Sequence, residues 1–523
     1  MDQKGSDSRG KMFTRNSTGL VKSVSFFDSV SINMIYMSIG AGLAGIGFST
    51  ILLPSMSGVN LVYASLIAAV ITIPQALVYS MMTQRLPRTG ADYVWVSRSL
   101  GGLFGSALTF MGITMETMPY VALIAISFVF AIGSVGLFFD ASSATYLGLA
   151  IPNTVGAVGS APIPQFELAA VAVILLVLLN IFLPRIGIKL VTACFVVGII
   201  ALVLSIVFLL SAGSGGVVSY INHLGINNTT YSSVAASYSG PSFSLVPTLL
   251  MIPFFYIFTY PWFNGLVAVG SELRGNDTRK WNAPISLILA TIITTAPFAI
   301  MYYVAGLPFI NGALANRNLV VNYSFNFWTL GMAVAPNSAF ALIVGLGWIV
   351  WEVGIMAYGI ILISRYLFAQ SFDRFLPSKL ATVSERYGSP IYAHIVDLIV
   401  TIIVIGLAIG FYGTAANLYG NVAASMIFFG FVGVGVAIYA IRREKKGNSR
   451  SVLAIAGILQ TIVFAFVSYL FFAYASIWGG NYLSYGYMVA SFVGGLIIYF
   501  LAKSYHLRKG LDIDLVFKEI PPE

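Results

Sequence analysis

Two glutamates stand where an acid is costly. Glu116, in GITMETMPY, and Glu352, in GWIVWEVGIMAYG, are each the sole charged residue of a long apolar run. If those runs are helical, each acid lies about 20 Å from the start of its run, at about 1.5 Å per residue. An ionised carboxylate at mid-bilayer costs about 2.5–3.5 kcal/mol on insertion scales, so such acids face an interior cavity and mark a pathway. They can carry a transported proton or meet an ammonium group. The bland alternative is a protonated acid donating one hydrogen bond to a helix backbone. No enzyme constellation competes with that reading. The 3 histidines are scattered and no H-E-x-x-H occurs. The single Cys194 rules out an internal disulfide and argues against a thiolate metal site. No cofactor is expected, only a proton or sodium as coupling ion. A sodium site would want hydroxyls where Gly354 and Ile355 stand on the eighth span, which favours the proton.

Acids at that depth need elements to hold them, and two stretches look unable to stay helical. In VPTLLMIPFFYIFTYPWFNGLVAVGSE, Val246 to Glu272, three prolines (Pro247, Pro253, Pro261) each delete a backbone donor. In SIGAGLAGIGFS of the first span, Gly40, Gly42, Gly45 and Gly47 fall within eight residues, and each glycine weakens a helix by about 1 kcal/mol relative to alanine. A kinked but inert helix and a small-residue packing face are the plain readings. Irregular backbone in hydrocarbon survives only when buried in protein or lining a cavity, however. Two interrupted spans at matching positions of two halves point to a transporter site. The backbone of Ile39, Gly40, Ala41, Gly42 and Gly45 would then grip a polar substrate group. Phe258, Tyr260, Trp262 and Phe263 would form the apolar wall. Trp348 and Trp351 read as packing or interfacial anchors, His394 and Asp397 as an interfacial pair, and His223 and His506 as exposed loop residues.

Composition sets the medium. The chain has 523 residues, 58% hydrophobic and 9% charged, against about 25% charged in soluble domains. This predicts an all-α integral membrane protein. Twelve spans are expected near 28–54, 62–84, 103–139, 166–183, 190–212, 244–270, 283–306, 338–364, 391–411, 418–440, 452–474 and 484–503. With this count, all of the 27 Lys and Arg except Arg317 fall on one side. A miscounted span would flip every later loop, so the asymmetry supports twelve and places both termini in the cytoplasm. The basic residues thus answer to topology rather than to nucleic acid. The expected partners are a lipid bilayer and a small-molecule substrate; oligomeric state is not legible. The Asn-x-Ser/Thr triplets at Asn227, Asn228 and Asn322 carry no weight, since Asn16 and Asn276 have them on the other side.

Four stretches, taken in order, resemble the amino acid–polyamine–organocation (APC) permeases. RLPRTGADYVWVSRSLG after the second span is similar to that family's R-x-P-R-x-G-G-x-Y-x-Y-x-S-R-x-x-G, with Asp92 and Trp95 in place of a Gly and a Tyr. LPRIGIKL at 183–190 resembles its turn between the fourth and fifth spans. SRYLFAQSFDRFLP at 364–377 resembles its S-R-x-x-x-x-x-A-x-D-G-x-x-P. The sixth span carries Trp262-Phe263 where the family has Gly-Phe, and Glu272 where it has an acidic pair. The family's G-S-G-I-F aligns with either Gly40-Ala41-Gly42 or Gly45-Ile46-Gly47. A fifth-span Lys of proton-coupled members has no counterpart near Leu202; Lys189 lies at the inner end.

The resemblance implies a LeuT-like fold of 5+5 inverted repeats plus two extra helices. The corresponding division is a tail at 1–27, a core at 28–440 (repeats 28–212 and 244–440), two further helices within 441–503, and a tail at 504–523. It implies alternating-access transport of amino acids or related amines across the cell membrane. The runner-up within transport is a polyamine or organic-cation permease or exchanger. From another class, the alternative is a ligand-sensing receptor or channel.

Overall fold

An apolar segment in lipid must satisfy its backbone within itself, and the described chain is helical nearly throughout. A computed structural model describes residues 22–51, 57–139, 162–224, 229–316, 319, 325–412 and 415–521. Most of the N-terminal tail, Arg317 and the triplets at Asn227, Asn228 and Asn322 lie outside the described residues. The only β pairing among the described residues is two isolated bridges, Val24 with Leu273 and Thr89 with Val269.

The first span divides into α1 (Phe26–Tyr36) and α2 (Ile39–Ile51). Then come α3 (Leu61–Arg85), the short α4 (Ala91–Leu100), α5 (Gly102–Phe138), α6 (Ile163–Phe182) and α7 (Pro184–His223). The sixth span divides into α8 (Leu245–Phe258) and α9 (Asn264–Ala268). It is followed by α10 (Asn276–Ala305), α11 (Ser338–Phe372), α12 (Ile391–Gly410), α13 (Leu418–Arg443), α14 (Asn448–Ala473) and α15 (Tyr482–Leu507), with α16 (Ile513–Val516) last. Among the described residues, 10 helices are long and apolar enough to cross a bilayer. With the two divided spans they make the twelve crossings that the charge pattern requires.

Local chemistry sets several boundaries. The Asn60 side chain accepts from the amides of Val62 and Tyr63 (3.1 Å each) at the head of α3, and Asn481 caps α15 in the same way. Pro184 opens α7 at a position where its missing N–H costs nothing. That helix does not end near residue 212 as expected. Gly213 takes φ +59°, a left-handed value that glycine adopts freely, so the chain kinks and continues to His223. His223 therefore closes a helix, and His506 likewise lies in α15 rather than in a loop.

The faces that need no water are visible in the exposure. Val70, Ile73 and Leu77 on α3, Ile288 and Ile292 on α10, and Ile458 and Ile462 on α14 all point outward at helical spacing. In α11, by contrast, every residue from Gly354 to Ser371 is buried, including the polar Ser364, Arg365 and Gln370. Trp348 and Trp351 on it are fully buried and are packing residues, not interfacial anchors. His394 and Asp397 of α12 are also buried, 1% and 0% exposed, and not interfacial.

Candidate substrate site

The glycines of the first span are not where it breaks. The helix stops at Tyr36, and Ser38 adopts φ +53°, a left-handed value that costs a residue with a Cβ about 1–2 kcal/mol. The ladder resumes when the Gly42 amide donates to the Ser38 carbonyl (2.9 Å). The amides of Ile39, Gly40 and Ala41 thus head α2 outside that ladder, the arrangement that favours a negative group at a helix start. Gly40, Gly42 and Gly45 lie inside the helix and serve close approach. A Cβ on Gly40 would sit 2.4 Å from the Trp351 ring, and one on Gly42 would sit 3.0 Å from Phe258. On Gly45 it would sit 3.3 Å from the Phe258 ring edge.

The sixth span breaks over residues 259–263, and of its three prolines only Pro261 lies in the break. Pro253 instead stands in the first turn after Met251. The amides of Thr259 and Tyr260 crowd onto one carbonyl, that of Phe255 (2.9 and 3.0 Å). The carbonyls left over are taken up by side chains. Trp262 Nε1 donates to the Ile257 carbonyl (2.9 Å), and Gln75 Nε2 donates to that of Pro261 (2.8 Å). Tyr358 Oη donates to the Gly265 carbonyl.

One side chain ties the two breaks together. Tyr120 Oη donates to Ser38 Oγ (2.6 Å) and lies 3.3 Å from the Ile257 carbonyl. From the other direction, Asn33 Oδ1 in α1 accepts the Leu266 amide of α9 (2.9 Å). Between the breaks lies a set of aromatic rings. Trp262 is 5.1 Å from Tyr120, 5.6 Å from Tyr36 and 5.9 Å from Phe429, centroid to centroid.

Polar atoms short of good partners gather in the same place. Tyr36 Oη, Thr117 Oγ1 and both amide atoms of Asn264 are buried and lack a well-formed hydrogen bond, the Tyr36 hydroxyl meeting Thr117 and Asn264 only loosely. Thr117 and Asn264 lie beside the Tyr36 hydroxyl, and the Glu116 carboxyl is close enough to act on it. Glu116 Oε2 accepts from Ser425 Oγ (2.8 Å), while Oε1 has no partner. Each such atom left unsatisfied costs about 1–3 kcal/mol, so a cluster of them is a surface suited to a polar ligand. Just before Glu116, residues Phe110–Met115 form a π-helical turn, a feature that tends to occur at functional sites.

The expected residues therefore divide. Ile39, Gly40 and Ala41 head α2 beside the first break, and Trp262 and Glu116 join the cluster. Phe258 stands between Gly42 and the Tyr419 ring, 5.4 Å from the latter. Tyr260 points away, its hydroxyl 2.7 Å from Ser65 Oγ on α3. Phe263 packs on Tyr79 at 6.1 Å. Glu352 accepts from Ser127 (3.0 Å) and Trp348 (3.2 Å), with its second oxygen unpaired, and bonds to no residue of either break. Tyr36, Ser38, Thr117, Tyr120 and Asn264 were not foreseen. A polar residue inside an apolar run was the available signal, and Tyr120 lies one helical turn from Glu116.

On the basic side, the two longest motif stretches close on each other. Tyr366 Oη donates to Asp92 Oδ1 (2.6 Å) and Tyr79 Oη to Oδ2 (3.0 Å). Arg98 pairs with Asp373, Nη2 to Oδ1 at 2.8 Å. Arg365 Nε meets Glu272 Oε1 at 2.7 Å, and the Glu272 carbonyl accepts the amides of Ser23 and Val24 (3.0 Å each). A cavity of about 560 Å³, lined in part by Arg185, Glu385 and Arg386, opens beside the Glu272–Arg365 pair.

Comparison with known proteins agrees with this arrangement. A stretch of 101 residues is 36% identical to "Uncharacterized protein 399" of Sulfolobus islandicus rod-shaped virus 1, covering 19% of this chain and 24% of that protein. The match spans about a quarter of the relative's length, and the relative's name assigns no activity. The family described as Amino acid permease matches residues 25–502. With two interrupted spans, twelve crossings and that match over nearly its whole length, the chain belongs to the amino acid permeases of the APC superfamily and is a membrane transporter, not an enzyme.

Proposed function

We propose that the protein is a secondary active permease that moves amino acids or closely related amines by alternating access. The cargo sits between the interruption at Ser38 and that at 259–263. The observation that carries this reading is the buried set of loosely paired polar atoms on Tyr36, Thr117 and Asn264, with an unpaired oxygen of Glu116, lying between two breaks that Tyr120 bridges. A carboxylate would take the free amides at the head of α2. An ammonium would take Glu116 and the faces of Trp262, Tyr120 and Tyr36. The interrupted spans open the first and second halves five crossings apart, which supports inverted repeats of five helices with α14 and α15 added. The basic side is the cytoplasmic side by the positive-inside rule.

Coupling is assigned to protons, carried by Glu116 and Glu352, each with one carboxyl oxygen lacking a partner. The second reading, an amine or organic-cation permease, is favoured by the aromatic lining around Glu116. The experiment is uptake of a radiolabelled panel of amino acids and amines into liposomes with an imposed pH gradient. Glu116→Gln or Glu352→Gln is expected to lower uptake or to flatten its pH dependence. Unchanged uptake between about pH 5 and 8 in both variants would remove the proton role. Ion conductance without substrate would favour a channel.

A further inference from the structure

We propose that the segment from Leu511 to Pro521 is a strap that aims Arg98 at Asp373, so that its release unlatches the closure on the basic side. Past α15 the chain turns back through Gly510, which takes φ +74°. The apolar side of α16 is then seated, Ile513 fully buried and Val516 and Phe517 nearly so. Asp514 ties the segment to α15, accepting from Tyr499 Oη (2.6 Å) and pairing with Lys503 Nζ (2.5 Å). The Phe517 ring lies 5.9 Å from that of Tyr499, and so close over Gly102 that a Cβ there would collide with it. Beyond Phe517 the segment bonds through its backbone. The Glu519 carbonyl accepts from Arg98 Nε (3.0 Å), and the Pro521 carbonyl accepts from Arg88 Nε (2.6 Å).

These contacts complete the seat of one guanidinium. Arg98 donates through Nε to the strap, through Nη1 to Ser97 Oγ (2.8 Å), and through Nη2 to Asp373 Oδ1 (2.8 Å). The Phe517 ring covers the same group at 5.3 Å. A planar fork held at its Nε edge and stacked on a ring has its Nη edge pointing one way, and here that way is the Asp373 carboxylate at the end of α11. The Arg98 and Asp373 side chains are 7% and 1% exposed, so the latch itself is out of water. The Lys503–Asp514 pair that holds the strap down is 35% and 40% exposed, where water and salt weaken it. The joint that can loosen is thus outside, and its effect is inside. This inference rests on the proposed opening of the basic side, and not on where the cargo sits.

Distances between spin labels at Ser99, half exposed at the end of α4, and Ser378, on the exposed turn after α11, test this in the full-length protein. Phe517→Ala, and the double variant Ile513→Ala/Phe517→Ala, unseat the strap while the chain keeps its length. Each should raise the ratio of long to short distances at least about fivefold, the lower end of couplings between distinct parts of a protein. Asp373→Asn cuts the latch directly and should lengthen the distances by itself. In that background the strap substitutions should add little, a result that general loosening would not produce. Unchanged distances in both strap variants, while Asp373→Asn lengthens them, overturn the proposal. An equal shift with and without Asp373 overturns it too, by showing that the strap acts elsewhere. If Asp373→Asn also leaves the distances short, the opening of the basic side is what fails, and the strap falls with it.

Discussion

The cost of a methyl group at Gly40 measures how tightly the first break is held. Its Cβ would fall 2.4 Å from the Trp351 ring, and its carbonyl already accepts Trp328 Nε1 (2.9 Å). Gly40→Ala should therefore push α2 off the indole, costing about 1–3 kcal/mol as overpacking does. Substrate binding should suffer more than folding, because Ile39 to Ala41 move with the helix. Trp351→Phe in the same chain should recover part of both. Melting temperature with and without transported substrate checks this; equal ligand stabilisation in Gly40→Ala and wild type would count against it. The glycine-rich sequence points to a weak helix, yet the interruption is at Ser38. Glycine content reports what backbone is permitted, whereas the break is fixed by the Tyr120–Ser38 hydrogen bond. A partner 82 residues away is not legible from the first span alone.

At the scale of elements, the closure on the basic side rests on charge pairs taken out of water. Arg365 and Glu272 have side chains 6% and 5% exposed. Removing one partner of such a pair costs about 3–5 kcal/mol, because it strands the other. Arg365→Gln should therefore be less stable than the double variant Arg365→Gln/Glu272→Gln, and should open the basic side more. Thermal unfolding of the two in one detergent decides it; equal stability would show the pair to be incidental. This closure was half legible. The stretches at 85–101 and 364–377 stood out by their resemblance to the family pattern, and the twelve crossings followed from where Lys and Arg fall. That the two stretches bond to each other, through Tyr366–Asp92 and Arg98–Asp373, is tertiary information that spacing does not carry. Nor did any apolar period announce the π-helical turn before Glu116, since one extra residue per turn leaves the composition unchanged.

For the whole molecule, the proposed alternating access requires the basic side to open, and Asp92 should then make that opening depend on pH. Burial pushes its carboxyl up to about 6, against the donations from Tyr366 and Tyr79 that favour its charged form. Opened to water it would titrate near about 3.9. A group raised in the closed form stabilises that form fully below about pH 4 and loses the effect as pH rises through about 6. The basic side should thus open more readily at pH 7 than at pH 5, and Asp92→Asn should flatten the difference. Spin-label distances between α4 and α11 report it; identical distributions at the two pH values in wild type would refute it.

The breaks in α1–α2 and α8–α9 are the centre of the account, because there irregular backbone in two spans meets a cluster of buried polar side chains. Solute counterflow in proteoliposomes tests it most directly, with a panel of amino acids and amines and the variants Tyr36→Phe and Asn264→Ala. The account predicts a compound that exchanges through wild type. Its half-saturation concentration should rise about tenfold or more in the variants, the scale of a lost buried hydrogen bond, at unchanged melting temperature. Exchange at the wild-type half-saturation concentration in both variants would contradict it.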